Sequence, residues 1–276
     1  MKRISRLVGI LAALVLVPSI GLLAPAHAAS TATVSVLHAI PGQTVDVYAN
    51  GKALLTDFKP GTLTPPQQLP AGIYDLKVTA PGAGANGKAI VVANGVQVPA
   101  GANVTVVAHL TASGKPVLTP YVNDVSSVPA GMARLTVRHD AAAPAVDVRA
   151  GGKPVFTGLT NPKEAMANVP AGSVSADVVL AGTTTVVIGP APLNLAEGTN
   201  TIVYAWGSAQ DKNLKLAVQT ISGLSSAPTG MPGGETGQAV ATSSAPYLAY
   251  LLVALGAIGL MGASWRLLRV RVSTRP

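Results

Sequence analysis

Two histidines and two aspartates recur at one spacing in this chain. His38 is followed by Asp46 and His139 by Asp147, each pair eight residues apart, with the second pair 101 positions after the first. They sit in two related segments, VSVLHAIPGQTVDVYANGK at 34–52 and LTVRHDAAAPAVDVRAGGK at 135–153. An imidazole oriented by a carboxylate is half of a nucleophilic hydrolase site, and the same side chains can ligate a metal. A complete hydrolase site also needs a nucleophile. The sequence contains no Cys, no G-x-S-x-G elbow and no H-E-x-x-H helix.

The strands that carry these residues argue against a shared site. Along a strand, alternate residues face the same side, so His139 is in phase with Leu135 and Val137. Asp147 is in phase with Arg149 and out of phase with Val146 and Val148, which sets it on the opposite side from His139. His38 follows Val34 and Val36 in the same way. The reading is structural: His38 and His139 are buried at strand ends and donate to loop carbonyls. Asp46 and Asp147 cap the backbone amides of turns, since neither lies in the D-x-D-x-D run that a calcium loop needs. His38, Asp46, His139 and Asp147 are thus a candidate structural motif, and no catalytic, cofactor or metal residue is assigned. His109 alternates with Val107, and its counterpart Trp206 with Tyr204, so that position takes large rings in either copy. The Gly-rich TAPGAGANGKAI at 79–90 precedes no helix and reads as a hairpin loop, not a phosphate cradle.

Between the pairs, the chain is written in short β-branched segments separated by Gly, Pro and Asn. The first set is ATVSVLH, QTVDVYA, GIYDLKVTA, KAIVVAN, NVTVVAHLT and KPVLTPYV. The second is ARLTVRH, PAVDVRA, SVSADVVLA, TTTVVIG, NTIVYAWG and LKLAVQTIS, and no amphipathic helix intervenes. Further anchors keep the order, LPAG at 69–72 with VPAG at 169–172 and VPAGANVTVVAH at 98–109 with LAEGTNTIVYAW at 195–206. Repetition at this period predicts an all-β protein of two tandem immunoglobulin-like β-sandwiches, one over 29–130 and one over 131–224. HDAAAPAVDV, HAIPGQTVDV and LPAGIYDLKVTA resemble the motifs of the DUF4397 family, whose copies read H-x-S-P-D-A-P-x-V-D-V and, later, L-P-A-G-x-Y. The first copy lacks the Asp-Ala-Pro segment, and the second has Ala where the first Pro is expected. The resemblance covers roughly 31–224 and implies an extracytoplasmic β-sandwich, commonly bacterial, with no established activity.

The two ends read differently. Lys2, Arg3 and Arg6 precede the apolar LVGILAALVLVPSIGLL and an A-x-A site, which is the pattern of a signal peptide over 1–28. Residues 245–265 carry no charge and would reach about 30 Å as a helix, enough to span a bilayer core. Arg266, Arg269, Arg271 and Arg275 follow, so the positive-inside rule sets the 266–276 tail in the cytoplasm and the body outside. Residues 225–244, rich in Gly, Pro, Ser and Thr, read as a linker, and MPGGETG at 231–237 is only faintly like a sortase signal.

These ends also account for the net charge of +8. Seven of the 19 basic residues lie in them, leaving 12 against 11 acidic residues in the body. No basic, aromatic-interleaved patch remains, which excludes nucleic acid as a partner. Without cysteine, the cores must hold without disulfides. The expected function is a non-enzymatic cell-envelope surface protein, single-pass in the cell membrane, with its domains extracellular and an envelope polymer or protein as ligand. The alternative is an extracytoplasmic hydrolase-like enzyme with a loop-built site.

Overall fold

A computed structural model describes residues 30–226, and every described element is a β-strand. The segments assigned above to a signal peptide, a spanning helix and a cytoplasmic tail, and nearly all of the linker, lie outside the described residues. In the first half the strands are β1 (Thr31–His38), β2 (Val45–Ala49), β3 (Lys52–Phe58), β4 (Gln67–Pro70), β5 (Gly72–Thr79), β6 (Ala89–Val98), β7 (Asn103–Leu110) and β8 (Pro116–Val122). In the second half they are β9 (Met132–Ala142), β10 (Val146–Ala150), β11 (Lys153–Leu159), β12 (Glu164–Pro170), β13 (Gly172–Leu180), β14 (Val186–Leu195), β15 (Asn200–Ser208) and β16 (Lys215–Ile221).

They form four four-stranded sheets, ordered β4-β1-β7-β8 and β3-β2-β5-β6, then β12-β9-β15-β16 and β11-β10-β13-β14. The second half therefore repeats the strand order of the first. This order can be set beside the immunoglobulin-like expectation. An immunoglobulin domain keeps its first two strands side by side in one sheet. Here β1 lies between β4 and β7, while β2 crosses to the other sheet. The pairings β1 with β7 and β9 with β15 are parallel, and all the other strand pairings are antiparallel.

Each half closes around its own apolar core. Val34, Val36, Val104 and Val106 of one sheet meet Val45, Val47, Leu76 and Val78 of the other. Leu135, Val137 and Val203 meet Val146, Val148 and Val178 in the second half. A third core lies between the halves, where Leu37, Val107 and Tyr121 pack against Ile202, Tyr204 and Trp206. The sheets holding β1 and β9 are thus buried on both faces, and β7, β9 and β15 are buried along nearly their whole length. A strand covered on both sides reads as a near-continuous apolar run, which VTVVAHL and TIVYAW are. Every proline within a described strand lies on a sheet edge, in β4, β8, β11, β12 or β14, where no ladder hydrogen bond is lost.

The turn after β2 explains why the repeated segments end alike. Asn50 and Gly51 both have positive φ, at 49° and 75°, between the paired Ala49 and Lys52. Gly151 and Gly152 do the same, at 56° and 76°, between Ala150 and Lys153. Two successive left-handed residues make the type I′ hairpin turn, which only Asn, Asp and Gly adopt readily.

Candidate functional site

His38 ends β1 with no solvent exposure, and its Nε2 donates to the Gln43 carbonyl at 2.7 Å. The Ile40 amide donates to Nδ1 at 3.4 Å, so both ring nitrogens are engaged and the neutral tautomer is fixed by its partners. His139 repeats this, with Nε2 at 2.9 Å from the Pro144 carbonyl and the Ala141 amide at 3.4 Å from Nδ1. Burial pushes both imidazoles below their ordinary pKa, against the opposing pull of those carbonyls.

The aspartates do a different job from a different sheet, so neither His–Asp pair meets. Asp46 accepts from the Asp57 amide at 2.9 Å and the Gly82 amide at 2.8 Å. Asp147 accepts from the Gly158 amide at 2.7 Å and the Gly182 amide at 2.9 Å. Asp57 and Gly158 have positive φ where β3 and β11 slip in register against their neighbours, so each carboxylate ties an irregular edge strand and the loop after β5 or β13 to a central strand. These two amides hold the Asp147 carboxyl below the usual carboxylate range.

The densest group of ionisable side chains lies elsewhere, in the layer between the halves. Arg138 on β9 is 1% exposed. Its Nε donates to Glu164 at 2.8 Å and its Nη1 to the Tyr204 hydroxyl at 2.9 Å, while the guanidinium stacks 4.2 Å above the Tyr121 ring. Tyr204 donates onward to Gln219 at 2.5 Å, Thr105 donates to the same oxygen at 3.0 Å, and Asn123 donates to Thr105 at 2.9 Å. This chain of hydrogen bonds crosses from the second half to the first. Chains of this kind strengthen one another in a low-dielectric interior.

Asp140 lies beside it, fully buried. The Tyr121 hydroxyl donates to Asp140 Oδ1 at 2.7 Å and lies 3.0 Å from the Pro162 carbonyl. His109 Nε2 is 3.6 Å from the same carboxyl oxygen and 2.8 Å from the Thr119 hydroxyl, and its Nδ1 donates to the Leu110 carbonyl at 2.9 Å. Desolvation pushes the Asp140 carboxyl up, against the pull of His109, Tyr121 and Arg138. Burial and the Asp140 charge push the Tyr121 hydroxyl far above its ordinary value. Asn161 bridges the halves as well, donating to the Leu110 and Ala141 carbonyls at 2.8 Å each.

A His–Asp–Tyr cluster has the residue types of acid–base chemistry, but this one is sealed. His109 and Asp140 are both without exposure, and a general base must come within hydrogen-bond reach of a substrate proton. What the cluster does is fasten two sheets. Residue spacing singles out His109 only as a tolerant ring position and does not point to Arg138 or Asp140. The available signal was that strands with apolar residues on both faces leave no solvent side for those charges. Among the described residues no group of three His, Cys, Asp or Glu side chains could hold a metal ion.

Residues 32–149 match the model of a family described as a domain of unknown function, DUF4397. The match opens in β1 and closes in β10, so it covers the first half and enters the second. No curated protein matches the chain.

Proposed function

We propose that the chain is a non-enzymatic cell-envelope surface protein. A signal peptide over 1–28 exports it, the helix at 245–265 holds it in the membrane, and two tandem β-sandwich modules over 29–130 and 131–224 stand outside, presented for binding or structural interaction. The observation that carries this reading is the layer around Arg138, Asp140 and Tyr204, where buried, hydrogen-bonded side chains fasten the halves into one unit. In this reading the repeated His and Asp serve the backbone, and the buried ionisable residues hold the two modules together.

Cell fractionation with external protease tests it. The full chain should remain in the membrane fraction with its body cleaved by protease added to intact cells, and a chain stopped at Ser225 should be released. A body protected from external protease, or release of both forms without detergent, would overturn it. Turnover of a chromogenic ester or glycoside by the purified chain would favour the hydrolase-like alternative with its loop-built site.

A further inference from the structure

The two halves share a strand order but not a packed interior. Between the sheets of the first half the free space is about 30 Å³, and between those of the second it is about 170 Å³. The register of each β5-type strand shows where the volume went. Gly72 pairs with Val98 and Gly172 with Leu195, which makes Tyr74 the counterpart of Val174 and Leu76 that of Ala176. Tyr74 fills the first core and anchors its hydroxyl on the Pro70 carbonyl at 2.7 Å. Val174 and Ala176 line the second cavity and leave that space open. Leu193 and Leu195 stand where the first half has Val96 and Val98, which returns only part of it.

The second cavity also has an opening. In the first half β6 and β8 run against each other along one side, whereas the matching β14 and β16 form no such seam. Val218 of β16 lines the cavity and is itself 50% exposed, which sets it at the mouth. The interior is made by Leu135, Val137, Val178, Val203 and Leu216. Water needs two to four polar partners to occupy such a space, and an apolar cavity of about 150 Å³ in another protein stays dry and takes benzene or xenon.

We infer that the cavity between β9, β13 and β15 is a binding site for a small, neutral, apolar molecule of about the size of one aromatic ring, entering between β14 and β16. This is independent of where the chain resides. A pocket lined mostly by Val, Leu and Ala, with Arg149 and Asp177 the charged residues on its wall, offers dispersion contacts and removal of apolar surface from water. Arg149 and Asp177 are already paired with each other at 2.6 Å, so the remaining Val, Leu and Ala lining favours a neutral, apolar occupant over a charged one.

Benzene is the probe. The full chain in detergent is equilibrated at a fixed benzene vapour pressure, which sets the activity of benzene whatever the detergent absorbs, and side-chain methyl resonances are followed. Methyls of Val137, Ala176 and Leu193 should shift and saturate, while those of Val36 and Leu76 in the first half stay still. Val174→Tyr, which copies the first half, should weaken the response at least tenfold. Ala176→Leu, a smaller change, should do the same if the tyrosine is poorly accommodated. Tyr74→Val should make the first-half methyls responsive. Silence of the second-half methyls in the parent chain, equal response in both halves, or full binding in both filled variants would each overturn the inference.

Discussion

Arg138→Met is the sharpest test of the layer between the halves. The change keeps a long side chain but removes the charge, the contacts to Glu164 and Tyr204, and the stacking on Tyr121. Hydrogen bonds to charged groups contribute about 1.5–3 kcal/mol each and a desolvated cation–π contact about 2 kcal/mol. Against these stands the cost of burying the guanidinium, several kcal/mol, which the variant no longer bears. Two details set the balance. The Glu164 side chain is 34% exposed and can return to water, so it is not stranded. Tyr204 is fully buried but still donates to Gln219, so its hydroxyl keeps one partner. The net loss should therefore fall at about 1–3 kcal/mol, below the 3–5 kcal/mol typical when a buried partner is left uncompensated. Urea unfolding followed by circular dichroism measures it, and a double-mutant cycle with Tyr204→Phe isolates the pair, whose coupling should exceed about 0.5 kcal/mol. Because this layer joins the halves, the variant should also split one unfolding transition towards two. A variant as stable as the parent, with no coupling and a single transition, would refute the claim that this network holds the halves together.

Other expectations follow from the same geometry. His38→Ala and His139→Ala should each cost about 1–3 kcal/mol by stranding a loop carbonyl, with nearly additive effects in urea, and limited proteolysis should open the half that carries the change. Because both imidazoles are held neutral below 6.5, the unfolded chain binds more protons under that pH. Stability should fall as pH drops through about 6.5 towards the lower folded values, and His139→Gln should flatten that fall. Asp140 has the opposite sign. Its folded pKa lies above 3.8, so its contribution is lost as pH rises from 3.8 through the folded value, and Asp140→Asn should remove that dependence from the urea midpoints. Val174→Tyr should stabilise the chain by about 1–2 kcal/mol in thermal or urea unfolding. Filling the whole 170 Å³ would recover about 4 kcal/mol at about 24 cal/mol per Å³, and one ring fills part of it.

The central strands were legible because burial writes itself into sequence: VSVLH, VDVYA, LTVRH and TIVYAW all carry β-branched residues at the right period. The edge strands were not. QQLP of β4 and EAMANVP of β12 contain a proline and, in β12, helix-forming Glu, Ala and Met, which an edge strand tolerates because one side has no partner to satisfy. KALLTDF of β3 lacks alternation because its side chains are mostly exposed on both faces. The direction of His139 could be read from its phase with Leu135 and Val137. The same phase points Arg138 and Asp140 the other way, and for one isolated pair of sheets that direction is solvent. Only a second pair of sheets turns it into a buried layer, and no local pattern specifies which surface will arrive there.

Corresponding positions of the two halves show what that arrival required. The register that matches His38 with His139 also matches Leu37 with Arg138 and Ala39 with Asp140, and on β7 and β15 it matches Val107 with Tyr204 and Thr105 with Ile202. The first half brings Leu37, Val107 and the Tyr121 ring with the uncharged polar groups of Thr105 and Asn123 and the His109 imidazole, and the second brings a guanidinium, a carboxyl and a phenol. Had both faces carried arginine at this position, two like charges would have been brought into one dry layer. Had both carried leucine, the contact would have lacked the hydrogen bonds that fix its orientation. The residues kept alike between the halves, His38 with His139, Asp46 with Asp147 and the left-handed turn after β2 with that after β10, are those that define backbone geometry. Among those that differ, Leu37 and Arg138, Ala39 and Asp140, and Val107 and Tyr204 face the layer between the halves, while Tyr74 with Val174 and Leu76 with Ala176 line the cores. One strand order thus serves two ends, with a shared backbone geometry where the chain must bend and different side chains where the halves must recognise each other.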